Sequence, residues 1–171
     1  MRFSQKSGEI STALVMLPQL GMRRQPGYKQ LDAWQLSMTF VERCYQATAA
    51  FPREELYGLT SQIRRAAVSI PSNVAEGYCR RKTKIYAHHV SISLGSHGEL
   101  ETCLELAHRL GFLSATMRDT LEDEIEVIGK LLSGLHRSLE AKIVNAEAEV
   151  RARRAAGAKR QPAPQPLAPS R

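Results

Sequence analysis

The sequence predicts an all-α protein, an up-down-up-down four-helix bundle, and three observations carry that reading. Apolar residues recur at steps of three and four through four successive segments. Short connections rich in helix-stopping residues separate those segments, which makes sequential helices antiparallel neighbours. No strand-like alternation or βαβ pattern competes. With 171 residues, 43% of them hydrophobic and 24% charged, the chain holds one ordinary domain with surplus at both ends.

The first helix is expected from about Leu31 to Thr48, with Trp34, Met38, Val41, Tyr45 and Thr48 as its apolar stripe and Phe51-Pro52 as its stop. The second runs from about Glu54 to Cys79 on Leu56, Leu59, Ile63, Ala66, Ile70 and Val74, with Glu54 and Glu55 suited to its positive N-terminal end. Pro71 lies inside this pattern, where it removes a backbone donor and crowds the carbonyl four residues back, so a kink or break is expected near Ser69 to Ser72.

The third helix spans Thr83 to Leu110, with Thr83 as N-cap and Gly111 as its stop. Ile85, His89, Ile92, Ser96, Leu100, Cys103, Ala107 and Leu110 line one face. The small middle, Leu94-Gly95-Ser96-His97-Gly98, costs helix propensity and is expected to let another backbone approach. The fourth follows Ser114, a good N-cap, and runs through Leu121, Ile125, Ile128, Leu132, Leu135 and Leu139 toward Ala156.

Around this bundle, assigned to residues 28–145, residues 1–27 read as an irregular N-terminal extension and 146–171 as a basic helical extension ending in a Pro-rich disordered tail. Met22 offers an alternative start. No run reaches the ~18 apolar residues of a membrane span. Ile10 to Leu20, interrupted by Pro18, reads as neither signal peptide nor anchor. Cys44, Cys79 and Cys103 are odd in number and form no CxxC, so a reducing cytoplasm is the expected home.

The formal net charge of +7 hides a segregation. Residues 1–30 carry +4 and residues 151–171 carry +6, which leaves the middle slightly acidic. Within the middle, Arg64, Arg65, Arg80, Arg81, Lys82 and Lys84 face only Glu76 between residues 60 and 90, whereas Asp119, Glu122, Asp123, Glu124 and Glu126 crowd together. The basic group is either a polyanion surface or a set of ordinary solvated helix faces.

Catalytic devices are missing. His88 and His89 are adjacent and diverge by about 100° on a helix, so they cannot chelate one ion as an i, i+4 pair would. Glu105 and His108 make one Glu-x-x-His, and a di-iron bundle needs two. There is no GxSxG elbow, P-loop or GxGxxG. No enzyme activity, metal or cofactor is expected, and Cys79 beside Arg80 to Lys82 reads as incidental.

The segments Leu31-Asp-Ala-Trp34, Phe51-Pro-Arg-Glu-Glu-Leu-Tyr-Gly-Leu-Thr-Ser-Gln-Ile-Arg-Arg-Ala66, Ser69-Ile-Pro-Ser-Asn-Val-Ala-Glu-Gly77 and Leu94-Gly-Ser-His-Gly-Glu-Leu100 occur in that order. Together they resemble the four-helix bundle proteins also called 23S rRNA intervening-sequence proteins, over roughly Tyr28 to Leu139. The resemblance implies a cytoplasmic bacterial protein that assembles as a ring-shaped homopentamer. A more distant branch resembles accessory proteins of diversity-generating retroelements, which partner a reverse transcriptase and bind nucleic acid. Charge and resemblance together give the expectation of a non-enzymatic homo-oligomer that binds nucleic acid, RNA before DNA, as an accessory to a ribonucleoprotein or reverse transcriptase. The alternative is a protein-interaction scaffold without nucleic acid.

Arg64, Arg65, Arg80, Arg81, Lys82 and Lys84 are then the candidate phosphate contacts. Gln62, Ser69, Pro71, Asn73, Glu76, Gly77, Gly95, Ser96 and Glu99 are expected to be structural glue, inside the bundle or between subunits, because polar groups at a proline kink need partners.

Overall fold

A computed structural model describes residues 27–158. Four helices follow one another: α1 (Asp32–Ala47), α2 (Leu59–Cys79), α3 (Thr83–Arg109) and α4 (Ala115–Ala158), with short 3-10 turns at Gly27–Gln30, Thr48–Ala50 and Arg53–Leu56. No strand occurs among the described residues. Each helix packs on the next and α1 returns to α4, closing an up-down-up-down four-helix bundle.

The register is read from cross-helix contacts. Gln62 meets Glu99, Ser69 meets Ser96 and Asn73 meets His89, so α2 and α3 run antiparallel. His97 bonds the carbonyl of Ile125, and Lys84 pairs with Glu147, which does the same for α3 and α4. The main core holds Phe40, Ile63, Ile70, Val74, Leu100, Leu104, Leu121, Ile125, Ile128 and Leu132, all essentially removed from water. A satellite cluster of Ala87, Val90 and Leu139, with Tyr86, Leu135 and Ile143 against it, sits under the α2–α3 turn.

Four local expectations are corrected. The buried face of α1 is Ala33, Ser37, Phe40 and Cys44, one position off the expected stripe; of that stripe Thr48 alone is buried, and Met38 and Tyr45 are 38% and 45% exposed. Ser37 can be buried because its hydroxyl donates to the Ala33 carbonyl one turn back, and Thr48 does the same to Cys44. The second helix starts at Leu59 rather than Glu54, although the Glu55 carboxylate still accepts from the Leu59 amide at 2.9 Å.

Helix α2 is continuous through Pro71, with no break at Ser69 to Ser72. Asn73 Nδ2 donates to the Ser69 carbonyl at 2.9 Å and Ser93 Oγ donates to the Ile70 carbonyl at 3.0 Å, so neighbouring side chains bind the two carbonyls just before the proline. Finally, Gly95 and Gly98 are not close-approach positions within the chain, because a Cβ on either would meet nothing within 4 Å. The tight helix contacts are at Gly77, whose Cβ would lie 2.7 Å from both Tyr86 Cδ2 and His89 Cβ, and at Gly129 against the His97 ring. The expected extensions at residues 1–26 and 159–171 lie outside the described residues.

Candidate nucleic-acid interface

The six sequence-predicted cations divide into two groups, one within α2 and one at the α2–α3 turn and the start of α3. Arg64 lies 16 residues before Arg80, the C-cap of α2, about 24 Å along the helix axis. The first group is occupied by the fold. Arg64 Nε donates to Thr48 Oγ1 at 2.8 Å and its guanidinium lies 4.6 Å from the Tyr45 ring centroid, so it ties α2 to the end of α1. Arg65 donates to Gln62 Oε1, whose amide in turn donates to Glu99 at 2.8 Å.

The second group forms a corner. Helix α2 ends at Cys79, Arg81 turns the chain with φ 55°, and Lys82 occupies the N-cap position of α3, so Thr83 is the first helical residue rather than the cap. No side chain caps the α3 N-terminus. Its first-turn amides therefore keep the positive end of the helix dipole open beside the lysines. Arg80 is paired with Glu76 at 2.7 Å, which holds that carboxyl below its usual range, the hydrogen bond from Arg80 being the larger cause. Lys84 likewise pairs with Glu147 at 2.6 Å and lowers its pKa. Arg81 and Lys82 have no ion pair among the described residues.

Helix α4 completes the corner with residues that sequence reasoning did not place there. Its 44 residues make it about 66 Å long, far longer than α3 with 27. Antiparallel packing therefore carries Arg151 and Arg154 past the start of α3 and leaves Lys142 beside its first turn. They join Lys82, Thr83 and Lys84 around an open pocket of about 520 Å³ whose apolar wall is Ile143, Ala146 and Val150. A second pocket of about 490 Å³, lined by Tyr78, Arg81, Lys82, Tyr86, Leu139 and Lys142 among others, lies on the other side of Lys82 and Lys142. Counting residues back from the α3–α4 turn would put a residue near 140 opposite Lys84, so spacing alone did not point to Glu147 or Arg151.

The predicted motif residues lie along the α2–α3 seam. Gln62 reaches Glu99, and the Ser69 and Ser96 hydroxyls are 2.8 Å apart. Asn73 Oδ1 lies 3.0 Å from His89 Nδ1, while Glu76 Oε1 is 3.9 Å from His89 Nε2. Pro71 and Gly77 are buried, and Gly95 is exposed on the outer side of α3.

The model of the 23S rRNA-intervening sequence protein family matches residues 29–134. The chain belongs to that family. A crystal structure from Bacteroides thetaiotaomicron, described as a protein of unknown function from the S23 ribosomal protein family, is similar at TM-score 0.57 and 21% identity, over 61% of this chain and 95% of that one. At that identity the likeness shows the shared helical fold. No curated protein matches the chain. The family match stops before the last turns of α4, so Lys142, Arg151 and Arg154 lie beyond it.

Among the described residues no group of three or more His, Cys, Asp or Glu could hold a metal ion, and no helix is long and apolar enough to cross a membrane.

Proposed function

We propose that this family member is a non-enzymatic nucleic-acid-binding protein, preferring RNA to DNA, whose binding surface is the basic corner between α2, α3 and the overhang of α4. The observation that carries the reading is the convergence of Arg81, Lys82, Lys142, Arg151 and Arg154 at one end of the bundle, with the unpaired Arg81 and Lys82 beside an uncapped helix N-terminus. Cations with no carboxylate partner leave their charge available to phosphates, and each contact displaces a condensed counterion. The family's rRNA-linked description supports RNA as the first ligand to test.

The same reading has several copies assembling, so that modest contacts at each corner add by avidity. Its support is the α1–α2 face, where Trp34, Met38 and Val41 with Val68 and Ala75, and further along Tyr45 with Tyr57, form an apolar surface that the monomer leaves partly in water. Homopentamers are what the family resemblance implies for that assembly.

The test is fluorescence anisotropy with labelled RNA across a salt series, beside light scattering of the eluted protein. Replacing Arg81, Lys82, Lys142 and Arg151 with Ala should weaken binding and flatten the dependence of affinity on salt by roughly one unit of slope per lost phosphate contact. Replacing Arg64 should instead lower stability, because its partners are Thr48 and Tyr45. Unchanged affinity and slope in the fourfold variant would remove the corner from the mechanism.

A further inference from the structure

We propose that the pocket at the α2–α3 corner takes an unpaired nucleobase, with Tyr78 as its stacking platform and Arg81, Lys82 and Lys142 on the adjoining phosphates, so that the ligand is single-stranded rather than duplex nucleic acid. The inference rests on the binding reading above and specifies its substrate class. Charge alone would serve any polyanion; the aromatic wall is what selects. Tyr78 is 42% exposed at the last turn of α2 and is held edge-to-face between Tyr28 and Tyr86, with ring centroids 5.9 and 6.0 Å away. A ring fixed by two neighbours loses little freedom when a base stacks on it.

Leu139 adds an apolar wall to the pocket, and its lining residues include three cations and no carboxylate. At about 490 Å³ the space suits a base with its sugar. Its floor depends on Gly77: a Cβ there would clash with Tyr86 and His89, so glycine allows α2 and α3 to close on each other at this point. A duplex keeps its bases inside the stack and presents only phosphates to such a site, whereas a single strand offers both.

The experiment compares one short RNA as a single strand and the same sequence annealed into a blunt duplex, in wild type, Tyr78→Leu and Tyr78→Phe, at low and at moderately high salt. Leu keeps apolar bulk against Tyr28 and Tyr86, and Phe keeps the ring. The expected result is that the wild type retains single-strand binding at the higher salt while duplex binding fades. Tyr78→Leu should weaken single-strand affinity roughly ten-fold and leave duplex affinity unchanged, with Tyr78→Phe close to wild type. Equal affinity of wild type for both probes, or equal single-strand affinity of wild type and Tyr78→Leu, would overturn the base pocket and leave the basic corner standing. Absence of binding to either probe would overturn both readings.

Discussion

The two turns that join α3 to its neighbours are built to opposite standards. At the α3–α4 turn the left-handed position is a glycine, Gly111 at φ 78°, and the Gly111 amide donates to the His108 carbonyl at 2.9 Å. Ser114 then caps α4 by accepting from the Met117 amide, and Arg118 is paired with both Asp119 and Glu122. At the α2–α3 turn the left-handed position is Arg81, the N-cap is Lys82 with no capping bond, and the cations that follow are only partly paired. The first turn has a glycine at its left-handed position and a side-chain cap on the helix that follows; the second has neither. A non-glycine residue at positive φ and a lysine at an N-cap both cost stability, and their coincidence at one surface corner fits the binding role proposed for it.

That contrast can be broken in both directions. The largest effect belongs to the seam beneath the basic corner: Gly77→Ala should cost about 1–3 kcal/mol in urea unfolding, because the added methyl meets Tyr86 and His89 and backbone must move. At the turns themselves the signs should oppose. Gly111→Ala is expected to destabilise by about 1–2 kcal/mol, whereas Arg81→Gly should stabilise by about 1 kcal/mol while weakening RNA binding. Equal signs for the two would show that φ is not what distinguishes them.

Next come the caps. Ser114→Ala should cost about 1 kcal/mol and Lys82→Ser should gain a similar amount, read as opposite shifts in the thermal midpoint. The smallest effect on folding, and the most informative for binding, is Glu147→Gln. It releases Lys84 on an exposed surface, so stability at neutral pH should hardly change while RNA affinity rises a few-fold and its salt dependence steepens by about one contact. The folded Glu147 carboxyl sits below its ordinary 4.5, so its contribution is present at neutral pH and is lost as pH falls through that lowered value. The two stability curves should therefore differ only slightly above the acid range and coincide below it.

Much of the fold was legible in local chemistry. The α2 stripe from Leu59 to Val74 and the α4 stripe from Leu121 to Leu139 are buried where their spacing puts them, apart from half-buried Leu135, and Gly111 and Ser114 mark a helix end and a helix start. These features depend on residues within one or two turns of each other. The candidate site was half legible: Arg80 to Lys84 are adjacent in sequence and are exposed together, but Lys142, Arg151 and Arg154 enter through the length and register of another helix. Tyr78 and Tyr86 gave no periodic signal at all, since they flank a turn.

What the sequence by itself determined is the class of protein: four amphipathic helices, short antiparallel turns, and an excess of positive charge near one turn. Periodicity, caps and breakers act locally, so they survive without knowledge of partners. Tertiary structure alone decided which stripe of α1 faces inward, because two adjacent apolar stripes about 100° apart compete and the choice depends on what α2 and α4 present. It also decided which cations stay free. Arg64 looks like Arg81 in the sequence, yet one is held by Thr48 and Tyr45 and the other faces water, because a side chain's partners come from helices that only folding brings alongside.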